Sequence, residues 1–375
     1  MPTAKGPAMA LPNSIKAALQ PLDRTLDTIE TPAVLVDADI ADANLVRWQE
    51  RCDRAGLANR PHIKTHRSSA WALRQVELGA PGVTVQTVGE AEVMADAGIL
   101  DLFLTTNVLG PAKLARLGAL ARRCNLSVVA DSQVVVDAIA GAARAAGAHI
   151  SVLVECDTGG ARCGLSDPAA IAALAARIAA TEPLSLGGLM TYPAAGKRLP
   201  SEQALRSAIA ACHAAGLPTP VVSSGGSPDM WKDEGLEPVT EYRAGTYIYN
   251  DRSLVARGTA TLEQCAMTVL ATVVSRPTAD RAILDTGSKS LTSDLLGLEG
   301  FGMILEHPQA VIYQLNEEHG LVDVSRCPSP PQVGDRVHVL PNHTCVVTNL
   351  FDQVFIVSGG RLAGALPVDA RGKSH

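Results

Sequence analysis

Four short stretches of the chain concentrate side chains that do chemistry. The first is Arg60-Pro61-His62-Ile63-Lys64-Thr65-His66, in which Lys64 ends a β-rich run. A lysine at a strand end forms a Schiff base when desolvation or nearby cations lower its pKa. Alone it is equally readable as a solvated lysine, because one lysine is not a motif. The second is Glu155-Cys156-Asp157-Thr158-Gly159-Gly160-Ala161-Arg162-Cys163-Gly164. Its glycines allow a tight turn from which Arg162 would project and stabilise a bound phenolate oxygen; an ordinary βα turn with a surface ion pair fits as well. The third, Ser223-Ser224-Gly225-Gly226-Ser227, exposes backbone N–H groups ahead of a helix start, which suits a phosphate or a plain turn. The fourth is Pro341-Asn342-His343-Thr344-Cys345. On a strand, residues two apart share a face, so His343 and Cys345 would hold one divalent ion and leave positions open for water and substrate. The alternative is a half-buried histidine beside an inert cysteine.

The elements that must position these groups follow two grammars. From about Thr31 to Asp251, β-rich runs alternate with Ala/Leu/Arg-rich helical stretches. The runs are Pro61–Lys64, Val83–Thr87, Asp101–Thr105, Leu126–Ala130, Ile150–Glu155, Leu186–Thr191, Pro220–Ser224 and Glu241–Tyr249. The helices between them include Glu90–Ala97, Ala112–Arg123, Ser132–Ala146, Ala169–Ala180 and Ser201–Ala215, with the connection at Pro228–Leu236 the weakest. Eight strands with crossover helices predict an α/β fold closed as a (β/α)8 TIM-like barrel, whose functional groups sit at the C-terminal strand ends. After Ser253 the strands Gln264–Val274, Arg281–Leu284, Ala310–Leu315, Arg336–Leu340 and Val354–Val357 follow one another without crossover helices, which predicts an antiparallel β domain. The organisation read from this is an N-terminal segment over 1–30 packing on the β domain, a barrel over 31–253 and the β domain over 254–375, with a frayed tail from Asp369. Asp285–Lys289 and Glu317–Gly320 collect polar groups at strand ends, either reaching the site or turning within the β domain.

Composition narrows the function. Lys+Arg 32 against Asp+Glu 38 gives a net charge of -6 without a basic block, which argues against a nucleic-acid partner. The apolar runs are too short to span a bilayer, and Met1–Arg24 lacks the apolar core of a signal peptide, so the expectation is a cytoplasmic protein without a membrane partner. The eight cysteines are scattered and contain no CxxC pair, which fits small reduced core side chains better than disulfides. Met94, Met190 and Met267 read as core fillers.

Together these segments resemble the fold-type III pyridoxal-phosphate enzymes, and within them the D-threonine aldolase and D-serine dehydratase branch, relatives of alanine racemase. The resemblance rests on RPHIKTH, VGEAEVMADAGI, ECDTGGARCG, TEYRAGTYIYND, LDTGSKSLTSD, NEEHG and PNHTCVVTNLFD, in that order between residues 31 and 357. It implies an alanine racemase-like barrel with a C-terminal β domain. Lys64 would carry pyridoxal phosphate as a Schiff base, and Arg162 would face the cofactor's 3′-oxygen. Ser224, Gly225 and Gly226 would hold the phosphate, helped by Gly245 and Thr246. Arg243 matches the arginine that alanine racemases place near the pyridine nitrogen, and Tyr192 a cofactor-side aromatic, although TYPAAGK lacks the histidine expected there. His343 and Cys345 match a metal pair for manganese, zinc, magnesium or cobalt.

The reaction so implied is retro-aldol cleavage of a β-hydroxy-D-amino acid, as of D-threonine to glycine and acetaldehyde. The alternative is dehydration of D-serine or 3-hydroxyaspartate with the same lysine and metal. A racemase needs a second base that the sequence does not identify, and a non-catalytic cofactor carrier would need no second domain. Fold relatives complete their sites across a subunit interface, which implies a homodimer.

Overall fold

The structure, a computed structural model, describes residues 10–233 and 236–375. The first nine residues of the expected N-terminal segment, and 234–235 within the Pro228–Leu236 connection, lie outside the described residues. The chain divides into two compact units, each drawn from separate stretches. One comprises Trp48–Lys64, Gln75–Gly245 and Gly372–His375; the other comprises Met1–Arg47, Thr65–Arg74 and Thr246–Arg371. The division is thus discontinuous where the sequence suggested contiguous segments.

The first unit is the barrel. Its eight strands are Ala58–Asn59, Val83–Val85, Asp101–Leu104, Asn125–Ala130, Ile150–Cys156, Leu184–Thr191, Val221–Ser224 and Glu241–Tyr242. Each pairs in parallel with its neighbour, the first strand with the eighth. A parallel bridge between His62 and Thr84 joins the first stretch to the second strand, so the order returns on itself. The first strand is shorter and earlier than the expected Pro61–Lys64. Ile63–Thr65 instead forms a 3-10 turn, which puts Lys64 just beyond the strand's C-terminal end.

Local sequence explains the helices. Thr87 caps Val88–Asp96 by accepting the Glu90 N–H, and Asp167 caps Pro168–Ala179 by accepting that of Ala170, with proline in the first turn where its missing N–H costs nothing. Gly147 ends Gln133–Ala146 in the left-handed region. The barrel interior is filled by Phe103, Val129, Leu153 and Met190 from successive strands. Each such side chain contributes roughly 1.5–3 kcal/mol by leaving water. The expected frayed tail is a correction: the Gly89 N–H donates to the His375 carbonyl, and Thr87 Oγ1 donates to that of Lys373.

The second unit is built on a mostly antiparallel sheet, ordered Val311–Leu315, Gly320–Asp323, Arg281–Leu284, Met267–Thr278, Ala33–Asp37, Gln353–Ser358 and Arg361–Pro367. Arg336–Leu340 pairs with Met267–Thr278 on one side and Met303–Ile304 on the other. One pairing is parallel, between Ala33–Asp37 and Gln353–Ser358. Asp369 anchors the chain here by accepting from the Ser69 N–H and hydroxyl, and Ala370 is fully buried. The polar turns at Asp285–Lys289 and Glu317–Gly320 clasp each other. The Ser288 N–H donates to the Asn316 carbonyl, and Lys289 pairs with Glu318 at 2.7 Å.

Candidate active site

In the barrel unit, the Tyr192 ring gathers several expected residues. Tyr192 follows the sixth strand and is partly exposed. Lys64 Nζ lies 5.7 Å from its ring centroid and the Arg162 guanidinium 4.9 Å, both within cation–π range. A Cβ on Gly226 would fall 3.2 Å from the edge of the same ring.

Arg162 stands on a loop that Asp157 shapes. The Asp157 carboxylate accepts from the N–H groups of Gly159, Gly160 and Ala161, which holds that carboxyl below its ordinary range although burial opposes this. Gly164 takes a φ of +106°, and a Cβ there would sit 2.6 Å from the Asp157 nitrogen, so only glycine fits. Arg162 pairs with Glu155 at 3.8 Å. Burial raises the Glu155 pKa against the pull of Arg162. Ligand atoms of Asp131, Glu155 and Cys163 lie within 4.8 Å of one another, and of these Glu155 pairs with Arg162.

The loop after the seventh strand rests on Tyr242. Gly225 has a φ of +101°, and a Cβ would lie 2.4 Å from the Tyr242 ring, whose hydroxyl donates to the Gly226 carbonyl at 3.0 Å. The Gly225 and Gly226 N–H groups have no hydrogen-bond partner among the described residues, whereas the Gly245 N–H already donates to Ser227 Oγ. Open amides on a loop too tight for a side chain suit a phosphate. Gly225→Ala is expected to lower stability by about 2–4 kcal/mol through strain and overpacking. Urea denaturation checks this, and an unchanged midpoint would refute it.

Arg243 is buried in this unit. Its Nε donates to Ser223 Oγ at 2.9 Å, a terminal nitrogen donates to the Thr191 carbonyl, and its guanidinium lies 5.9 Å from the Phe103 ring centroid. Burial pushes its pKa down to about 10 against the Glu241 and Glu155 carboxylates. Behind it, Ser223 donates to Glu241 at 2.6 Å, and Glu241 accepts from Arg60, which also pairs with Asp101. Nothing in the motifs marked Arg60, Ser223 or Glu241 as a connected chain.

In the sheet unit, His343 and Cys345 are not on a strand, which corrects the expectation. His343 is the N-cap of the helix Thr344–Leu350, and Cys345 lies in its first turn. The two side chains are nevertheless in hydrogen-bond contact. Asp294 Oδ2 lies 2.7 Å from His343 Nδ1. Burial opposes the charged imidazole, but Cys345, Asp294 and Asp251 overcome it and push the His343 pKa up to about 9. Cys345 Sγ has Thr65 Oγ1 at 3.2 Å and Thr246 Oγ1 at 3.8 Å, so Thr246, expected as a phosphate helper, neighbours the thiol. An adjacent imidazole and thiol form a donor set for a borderline-soft divalent ion. Asp294, Asp251 and Thr65 escaped the sequence reading as site residues, although Asp294 closes the phrase LDTGSKSLTSD. Elsewhere, burial pushes the thiols of Cys52, Cys156 and Cys265 up to about 12.

Known proteins match this arrangement over nearly its full length. The profile of the alanine racemase N-terminal domain matches residues 36–253, and that of the serine dehydratase domain matches 266–357. A D-threonine aldolase of Arthrobacter sp is 36% identical over 364 residues, covering 93% of this chain and 95% of the relative. A D-threo-3-hydroxyaspartate dehydratase of Delftia sp. (strain HT23) is 33% identical, covering 86% and 92%. The crystal structure of a D-threonine aldolase from Filomicrobium marinum aligns with a TM-score of 0.87 at 31% identity, over 96% of this chain and 100% of that one. A D-threo-3-hydroxyaspartate dehydratase has also been solved as a variant with one cysteine changed to alanine, in the metal-free form, and as a variant with a histidine two positions earlier changed to alanine. By this extent and identity, the chain belongs to the fold-type III pyridoxal-phosphate lyases, in the branch of the D-threonine aldolases and D-threo-3-hydroxyaspartate dehydratases.

Proposed function

We propose that the protein cleaves β-hydroxy-D-amino acids by a retro-aldol reaction, with D-threonine giving glycine and acetaldehyde, and depends on pyridoxal phosphate and a divalent metal ion. The observation that carries this is the near-full-length similarity to a D-threonine aldolase, joined to residues that suit both groups. Bound pyridoxal phosphate would supply the electron sink for a carbanion at the substrate Cα. Lys64 offers the amine that holds it, and Arg162, stacked on Tyr192, offers positive charge for its phenolic oxygen. Ser224, Gly225 and Gly226 offer the phosphate loop, with Gly245, whose N–H donates to Ser227 after that loop, and Thr246 as helpers, and buried Arg243 is a cation for the ring nitrogen.

His343 and Cys345 would hold the metal ion, drawn from manganese, zinc, magnesium or cobalt, which would supply Lewis acidity at the substrate's β-hydroxyl. The cysteine and histidine variants solved for a D-threo-3-hydroxyaspartate dehydratase support this, since their positions share the two-residue spacing of His343 and Cys345. That pairing also favours the second reading, dehydration of 3-hydroxyaspartate or D-serine, in which the β-hydroxyl leaves. We place the enzyme in the cytoplasm as a homodimer; no helix among the described residues is long and apolar enough to cross a membrane.

Product analysis on D-threonine and L-threonine, with pyridoxal phosphate and manganese, tests the reading. Glycine with acetaldehyde from the D-isomer alone is expected, whereas 2-oxobutanoate with ammonia would replace it by the dehydratase reading. The His343→Ala variant is expected to lose at least about a hundredfold in kcat, as removal of a metal's charge stabilisation does. Turnover unchanged by that substitution and by chelator would take the metal out of the reaction.

A further inference from the structure

We propose that Asp294 is a positioning residue for the metal ion: its carboxylate fixes the tautomer and ring orientation of His343 so that the other ring nitrogen is left as the ligand. This rests on the metal reading of His343 and Cys345 above. Asp294 Oδ2 lies 2.7 Å from His343 Nδ1. A carboxylate there is satisfied by an Nδ1–H donor, which puts the lone pair of the neutral imidazole on Nε2. The two ring nitrogens point away from each other, so a group bonded at Nδ1 stands off an ion bonded at Nε2. Asp294 thereby supports the ligand without being one.

The local structure ties the two residues into one piece. Asn342, the residue before His343, is fully buried, and its amide donates to the carbonyls of Asp294 and Gly300. Its oxygen accepts from Arg252. The Asp294 N–H donates to Thr292 Oγ1 at 3.0 Å, so the Asp294 backbone is held from both sides. Between the two ligands, the Thr344 N–H donates to Asp251, a fully buried carboxylate that also caps Arg252–Ala256. On the other ligand, Thr65 Oγ1 stands 3.2 Å from Cys345 Sγ. Each proposed ligand therefore has its own outer partner, Asp294 for the imidazole and Thr65 for the thiol. Asp294 itself is half-exposed, so its role is not to fill the core.

The test is the affinity of the pyridoxal-loaded protein for zinc, measured by chelator competition in wild type, His343→Ala, Asp294→Ala and Asp294→Asn. The visible cofactor band and the melting temperature serve as folding controls. Loss of an outer partner of this kind weakens metal binding by about 10- to 100-fold, and that is the shift expected for Asp294→Ala. Asn keeps an oxygen for the Nδ1–H and loses only charge, so Asp294→Asn is expected to fall between Ala and wild type. If the Ala variant fails its folding controls, a wild-type affinity in Asp294→Asn overturns the proposal. Wild-type affinity in a folded Asp294→Ala overturns it too. A loss in Asp294→Asn as complete as in His343→Ala would make Asp294 a ligand and overturn it as well. If wild type takes up no zinc, or His343→Ala takes up as much as wild type, the metal reading itself falls and this inference with it.

Discussion

Lys64→Ala is expected to lose turnover by at least about a thousandfold, together with the visible absorption of the bound cofactor. The magnitude follows from the role: a side chain that forms the covalent bond has no substitute within reach, and removing such a nucleophile costs orders of magnitude. Position supports the role. The first barrel strand ends at Asn59, and Lys64 is the middle residue of the 3-10 turn that follows it, at the end of the barrel where catalytic groups gather. Its Nζ lies toward the Tyr192 ring, and Arg162 on the same ring adds a second positive charge nearby. Lys64→Arg separates charge from chemistry, because a guanidinium keeps the charge but does not deprotonate in proteins. It should be as inactive as the alanine variant. Steady-state assays and absorption spectra read both outcomes, and a Lys64→Arg enzyme retaining a tenth of wild-type turnover would remove Lys64 from the covalent role.

The barrel was legible because each of its parts announces itself locally. Gln133–Ala146 shows apolar residues at helical spacing and ends on a left-handed glycine, and Ile150–Cys156 is a short β-rich run bounded by turns. Ala33–Asp37 was not legible. Its AVLVD run carries no period that assigns it to one sheet, and its partners Leu270 and Phe355 lie far along the chain. His343 and Cys345 show a different failure. TCVVTNL is rich in β-branched residues and reads as a strand, but it folds as a helix, with the extended His343 as its cap and the Thr344 N–H on buried Asp251. Tertiary context overrode propensity there, and the histidine and cysteine still meet, by a helix-start geometry instead of a shared strand face. The partners of His343 and of Arg60 were invisible for the reason that hid Ala33–Asp37. Asp294 and His343 are 49 residues apart, and Arg60 and Glu241 are 181 apart.

That last pair carries the largest expected effect on stability. Glu241 is almost fully buried in the eighth strand, where it accepts from Arg60 and from Ser223 Oγ. Ser223 in turn accepts from Arg243 Nε. Glu241→Ala leaves Arg60 with Asp101 alone and takes from Arg243, a buried cation of the barrel unit, the carboxylate that most favours its charge. Removing one partner of a buried ion pair typically costs about 3–5 kcal/mol, because the other charge stays desolvated. Glu241→Gln should cost less, since its amide oxygen still accepts one of these hydrogen bonds. The direction is set by the stranded arginines: burial has already pushed Arg243 down to about 10 with Glu241 in place, so without that carboxylate its charged form is less favoured still. The loss is read as a lower urea midpoint at constant m-value. Wild-type stability in Glu241→Ala would mean that water reaches Arg60 and Arg243, and that the chain Arg60–Glu241–Ser223–Arg243 does not hold the barrel together.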